Sequence, residues 1–221
     1  MNPMGIEGRK APNSRSGITR EAIVDAAAEL LAEGGLDALT MRRLGDRLGI
    51  SAMTLYRYFD DKDALLDAVV DAGTDELELP PPSGPWQEQI AALMRALHTR
   101  LMARPFLIEL RVRRPLVSPG AMRWTERGMR ILREAGLDER AAANAYRALF
   151  VYTFGDATYR PRGAADAAAR RTRAMHLDLP PDEYPHVTAA TRELAEAFAE
   201  DTSFESGLQL LINGIAQGLT D

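Results

Sequence analysis

Apolar residues recur at intervals of three and four along almost the whole chain, and no stretch alternates in twos for long enough to read as a strand. That spacing lines apolar side chains along one stripe of a helix, so the expected fold is all-α. Ala22, Ile23, Ala26, Ala27, Leu30 and Leu31 make one stripe, with Thr19 as N-cap and Gly34-Gly35 as its stop. Thr40 caps a second, short helix carrying Leu44 and Leu48, and Ser51 caps a third carrying Leu55 and Phe59. Asp60-Asp61 opens a fourth with Leu65, Leu66, Val69 and Val70 on one side. Between the second and third lies Gly49-Ile50-Ser51. A glycine that ends one helix and a serine that starts the next make "TMRRLGDRLGISAMTLYRYF" (Thr40–Phe59) a helix, a tight turn and a helix.

The prolines of "PPPSGP" (Pro80–Pro85) interrupt the pattern and mark a candidate domain boundary. Beyond them Ile90, Leu93, Met94, Leu97 and Leu101 predict a fifth helix, and Phe106–Val112 a short sixth. Pro119 opens a helix that Gly136 closes, and Asp138 caps a long one reaching Tyr159. Residues 160–185 hold four prolines and read as a flexible loop, followed by helices near Val187–Glu200 and Phe204–Gly218. The expected organisation is a flexible arm (1–17), a three-helix helix-turn-helix domain (18–64) and a larger helical domain (65–221).

No run of about 18 apolar residues is present to span a membrane. The polar, Gly/Pro-rich start has no signal-peptide core, and the absence of cysteine excludes disulfides, thiolate metal sites and a thiol nucleophile. A cytoplasmic protein without a membrane partner is expected. The net charge of −5 is unevenly spread, because residues 1–62 carry nine Lys/Arg and nine Asp/Glu. Glu21, Asp25, Glu29, Glu33 and Asp37 fall at every fourth position and read as a solvated helix face. Arg9, Lys10, Arg15 and Arg20 precede them, and Arg42, Arg43, Arg47, Arg57 and Lys62 follow. Such clustering on an acidic protein suits a small nucleic-acid footprint.

In a helix-turn-helix the first helix braces and the second enters the major groove of DNA. Leu44, Leu48, Ile50, Leu55 and Phe59 are expected inward, with Gly45 allowing close approach and Gly49 making the turn. Ala52, Met53, Thr54, Tyr56 and Arg57 are expected outward. The hydroxyls of Thr54 and Tyr56 suit phosphates or base edges, while Ala52 and Met53 suit thymine methyl groups. Arg42 stands where it can reach a guanine, and Lys62 where it can meet a phosphate. Two short amphipathic helices around a glycine also occur as plain packing elements, so spacing alone leaves both readings open.

The region Thr19–Val70 resembles the DNA-binding domain of the TetR family of bacterial repressors. The match runs through "EGGLDALTMRRL", "LGISAMTLYRYF" and "DKDALLDAVV". The resemblance implies a DNA-contact set of Thr40, Arg42, Ala52, Met53, Thr54, Tyr56 and Lys62 on a double-stranded operator. "GPWQEQIAALMRALHTRLMARP", "FVYTFGDATY" and "FESGLQLLINGIAQGL" are similar to the C-terminal domain of the tetracycline-repressor branch. That similarity implies a homodimer in which Asp138–Tyr159 and Phe204–Gly218 pair with their copies as a four-helix bundle. The residues themselves show two wide apolar stripes that a second copy or the subunit's own helices can cover. The candidate interface is Tyr146, Phe150, Leu208, Leu211, Ile212 and Ile215.

The resemblance further implies a pocket for a small-molecule effector in the second domain. Candidate lining residues are Leu93, Leu97, Leu101, Phe106, Trp124, Met129, Tyr152 and Phe154, with Arg111 or His98 as the polar group. Tetracycline repressors carry a histidine metal ligand on the sixth helix, whereas "FLIELRVRRP" has none, with Leu110 or Arg111 near that spot. Three scattered histidines without a spaced carboxylate do not make a metal site, so neither metal nor cofactor is expected. The expected function is a dimeric repressor that binds a palindromic operator and is released by a small apolar ligand. The alternatives are an activator, a ligand-independent regulator, or a helical enzyme whose arginines bind an anion. The last lacks HExxH, a Gly-rich phosphate loop and a catalytic cysteine.

Overall fold

The computed structural model describes residues 18–75, 83–113, 119–159, 171, 173–199 and 202–219. The arm (1–17) and most of 160–172 lie outside them, as does Pro80–Pro82. The elements are α1 (Arg20–Ala38), α2 (Met41–Leu48), α3 (Ala52–Leu55), α4 (Lys62–Asp75), α5 (Trp86–Ala103) and α6 (Phe106–Arg113). They continue as α7 (Pro119–Glu134), α8 (Glu139–Tyr159), α9 (Pro185–Ala189), α10 (Thr191–Ala199) and α11 (Thr202–Gln217). All regular structure among the described residues is helical.

Local chemistry explains the starts. Thr19, Thr40 and Ser51 each accept a backbone N–H of the following turn at 3.1–3.2 Å, satisfying a donor that the first helical turn leaves open. Asp61 and Asp138 do the same for α4 and α8 at 2.7 Å. Gly34-Gly35 breaks the helical path of α1, as both leave helical φ/ψ. Gly35 adopts φ +67°, ψ −163°, and the chain then makes one more turn to Ala38. Helix α3 is shorter than expected, a single turn whose continuation through Tyr58 is a looser chain of turns. The expected loop before Val187 also contains structure: residues 173–177 are helical and Pro185 opens α9. Proline suits that first position because its missing N–H would have had no helical partner.

Two apolar clusters hold the chain. The first gathers Ile23, Ala27, Leu31, Leu39, Leu44, Leu55, Phe59, Leu65 and Val69 from α1–α4, together with Leu101, Phe106, Ile108, Leu110 and Ala157 from later helices. The second gathers Ile90, Leu93 and Met94 with Trp124, Leu132, Leu149, Phe204, Leu208 and Ile212. Each large side chain fully buried in this way contributes roughly 1.5–3 kcal/mol. A division at residue 64 falls inside the unbroken helix α4, and the first cluster runs on into α6. The second domain is closed by aromatic rings seated on glycines: Tyr146 of α8 rests on Gly128 of α7, and Tyr152 of α8 on Gly207 of α11.

Candidate nucleic-acid interface and the domain behind it

The turn between α2 and α3 is fixed in two ways. Gly49 sits in the left-handed region (φ +67°, ψ +29°) and its N–H and that of Ile50 close the end of α2. At Gly45 the constraint is space, since a Cβ there would lie 2.7 Å from the Ile50 carbonyl oxygen and 3.4 Å from the Ala52 nitrogen. Leu44, Leu55 and Phe59 are buried as expected, while Leu48 and Ile50 are half-buried at the rim. The turn therefore holds α3 at one angle.

The outward row is open. Met53 is 74% exposed and Tyr56 47%, with Thr40, Arg42 and Arg57 exposed beside them. Ala52 and Thr54 are half-buried, and the Thr54 hydroxyl lies 2.9 Å from that of Ser51. Thr40 accepts the Arg43 N–H, which leaves its own O–H to donate. Lys62 is half-buried and already donates to the Leu36 carbonyl at 3.2 Å, so it ties α4 to the end of α1 and has further N–H groups for a phosphate.

Other contacts here join residues too far apart in the chain to be read from spacing. Arg47 bridges to Glu33 at 2.6 Å and Glu29 at 3.5 Å, so part of the acidic face of α1 is paired rather than merely solvated. The Tyr58 hydroxyl donates to the Ile18 carbonyl at 2.8 Å, and the Arg20 guanidinium lies 4.5 Å over the Phe59 ring. The chain preceding α1 is thereby held beside the end of α3.

The candidate effector residues are shared between the two apolar clusters, with Leu97 packed against both. Leu101 and Phe106 are buried in the first cluster, with Phe154 against it. Leu93 and Trp124 are buried in the second, with Met129 and Tyr152 against it. Arg111 is half-buried, 5.9 Å from the ring of Phe150. Leu110 is buried, and among the described residues no three acidic or histidine side chains gather as a metal site.

Of the six expected interface residues, two are buried and four are half-buried. Leu208 and Ile212 are each 1% exposed in its own core. Tyr146 packs against Gly128 and donates to the Thr125 hydroxyl at 3.4 Å; burial pushes its phenol above the ordinary range and that hydrogen bond partly opposes the shift. Phe150 stands between Tyr146 and Phe154 at 6.0 and 4.5 Å, so the three rings form a ladder along α8 with Arg111 at its side. Leu211 and Ile215, half-buried like Tyr146 and Phe150, line with Ala141, Ala145, Leu210 and Gly214 a surface groove of about 590 Å³ between α8 and α11. Leu210 (73%) and Val151 (52%) are the large apolar residues most exposed on these two helices after Tyr159.

His98 does have a carboxylate partner, supplied by the fold: Asp156 of α8 at 2.7 Å, with Phe204 stacked on the imidazole at 4.0 Å. One turn earlier, Arg95 grips Glu205 with both its Nε and a terminal nitrogen at 2.8 Å, which holds the Glu205 carboxyl below its usual range. Helix α4 is tied at both ends. Lys62 holds α1, and the Asp71 carboxylate accepts the Gly120 N–H at the start of α7 at 2.7 Å. Gly73 lies where α4 passes under the guanidinium of Arg100 from α5.

This arrangement matches known proteins over nearly its whole length. The family model described as bacterial regulatory proteins, tetR family, matches residues 23–69, and that described as tetracyclin repressor-like, C-terminal domain, matches 79–219. An HTH-type transcriptional regulator of Saccharopolyspora erythraea is 34% identical over 202 residues, covering 90% of this chain and 85% of that protein. The HTH-type transcriptional repressor DrrR1 of Streptomyces coeruleorubidus is 29% identical, covering 90% of this chain and 77% of its own. Among solved structures, the Streptomyces coelicolor TetR family protein ActR in complex with actinorhodin superposes with a TM-score of 0.82 at 30% identity. That superposition covers 92% of this chain and 97% of ActR.

Proposed function

Because the chain belongs to the TetR family and is a transcriptional regulator with a helix-turn-helix head, we propose that it is a dimeric repressor acting on a pseudo-palindromic operator in the cytoplasm. The observation that carries this reading is the open row of Arg42, Met53, Tyr56 and Arg57 on a turn fixed by Gly45 and Gly49. A rigid α3 can place those groups in a major groove, and two copies related by a two-fold axis address half-sites about 34–36 Å apart. Arg42 reads a base; Thr40, Tyr56 and Lys62 hold phosphates; Ala52 and Met53 meet apolar base edges. The outward faces of α8 and α11, around Val151, Leu210 and Gly214, join the two subunits.

The effector is a small apolar molecule that contains rings. Support comes from the Tyr146–Phe150–Phe154 ladder flanked by Arg111, and from ActR, whose solved complex holds actinorhodin. Effector binding lowers operator affinity, and linkage requires the operator to lower effector affinity by the same factor.

Duplexes selected by the protein from a random-sequence library test the DNA reading. Two-fold symmetric sites are expected. Arg42→Ala should lose roughly 1–3 kcal/mol per half-site at one symmetric base pair only, while Tyr56→Phe should weaken all duplexes alike. Uniform loss from Arg42→Ala would assign that arginine to the backbone, and selection of sequences without symmetry would sink the dimeric operator.

A further inference from the structure

The peptide groups of Leu36, just after the kink in α1, are held from two later helices. Its N–H donates to the Oε2 of Glu109 on α6 at 3.3 Å, across 73 residues of chain, and its carbonyl accepts Lys62 Nζ on α4 at 3.2 Å. The kink makes this necessary. Gly35 at φ +67° leaves the helical path, so the following N–H needs an acceptor outside the helix ladder, and Leu36 itself is buried at 4% exposure. The same glycine makes room for the acceptor, because a Cβ on Gly35 would stand 3.1 Å from the Glu109 oxygen.

Around this contact the packing of α1 on α6 is apolar, with Leu36 and Leu39 in one cluster with Phe106, Leu107 and Leu110. Apolar surfaces resist separation but tolerate sliding, since their attraction is non-directional. A charged hydrogen bond in such surroundings is directional and fixes the register. We propose that Glu109 is a positioning residue that pins the DNA-reading head to α6 at Leu36, so that the separation of the two recognition helices in the dimer is set from α6 as well as from α4. Glu109 touches no DNA in this account and acts through α1. Movement of α6 then reaches α2 and α3 directly, without passing along α4.

The inference rests on the dimeric-operator reading, and half-site spacing tests it without any effector. The probes are the duplex that the wild-type protein selects, the same duplex with one base pair added or removed between half-sites, and a duplex with one half-site. One base pair turns a half-site by about a tenth of a helical turn, which a rigid pair of heads should reject. Wild type and Glu109→Gln, which keeps an acceptor, should prefer the selected spacing by about tenfold or more. Glu109→Ala should bring that ratio towards one while binding the single half-site as wild type does. Glu109→Leu, which suits the apolar surroundings, repeats the test in case the alanine variant folds poorly. Wild-type spacing preference in either variant overturns the inference alone, whereas a wild type that selects no two-half-site DNA overturns the dimeric reading and the inference with it.

Discussion

The two glycines of the recognition turn serve different ends, and replacing each should separate them. At Gly45 alanine is favoured by helix propensity by about 1 kcal/mol, because the residue lies inside α2. Against this, its Cβ would stand 2.7 Å from the Ile50 carbonyl oxygen, where ordinary contact begins at 3.4 Å. The obstacle is backbone rather than a pliable side chain, and the Ile50 N–H is itself bonded to the Gly45 carbonyl at 3.0 Å. Forcing such a contact costs roughly 1–3 kcal/mol, so Gly45→Ala should be destabilising by about 1 kcal/mol net. At Gly49 nothing lies within 4 Å of a Cβ, and the cost is the left-handed backbone alone, about 1–2 kcal/mol for alanine and less for asparagine. Urea unfolding should therefore rank Gly49→Asn above Gly49→Ala. On selected duplexes, followed by fluorescence anisotropy, the order should differ. Gly45→Ala shifts α3 against its brace and should lose about tenfold or more in affinity, whereas Gly49→Asn leaves the helices in place and should lose little. A Gly45→Ala protein more stable than wild type, with unchanged DNA affinity, would refute the close-approach argument.

Two further outcomes follow from where side chains point. Leu210→Asp should shift the protein from dimer towards folded monomer by light scattering with its helical circular dichroism retained, as an exposed face loses roughly 1.5–3 kcal/mol per buried leucine. Ile212→Asp should instead unfold the subunit, and a folded monomer from Ile212→Asp would show that its burial had been misassigned. Burial raises the Tyr146 pKa above its ordinary 10.0, so this group contributes stability that is fully present below that pH and is lost as pH rises through the folded value. Tyr146→Phe should flatten the alkaline end of a urea-midpoint profile, and an unchanged profile would remove Tyr146 as its cause.

What was legible in the sequence were contacts spanning a few residues. Thr19, Thr40 and Ser51 announce their helices because a cap and its N–H lie three residues apart. Gly45 and Gly49 announce the turn for a similar reason. The inward and outward sides of α2 and α3 were also legible, because polar and apolar residues alternate sharply there. On α11 Phe204, Leu208, Leu211, Ile212 and Ile215 share one face and Leu210 lies off it, so its exposure was legible too, but spacing does not say that Leu208 and Ile212 are core while Leu211 and Ile215 sit at the rim. Helical spacing likewise does not say which neighbour the stripe of Tyr146 and Phe150 meets. Glu109 with Leu36 and His98 with Asp156 had no local signal, being 73 and 58 residues apart.

The cluster that fills the head continues through Leu101, Phe106, Ile108 and Leu110 into the other half of the chain. This bears on the transplanting of heads between regulators to rewire which genes answer to which signal. A chimaera cut after Asp75 would bring its own α1 against a stranger's α6, with an unfamiliar residue facing the Leu36 peptide. If Glu109 sets the register of the head, such a chimaera should still bind DNA but lose its preferred half-site spacing. If Glu109 pins the head, the exchangeable cassette is discontinuous, comprising residues 18–75 together with Phe106, Leu107, Glu109 and Leu110, and a graft that carries both pieces inherits the joint along with the address.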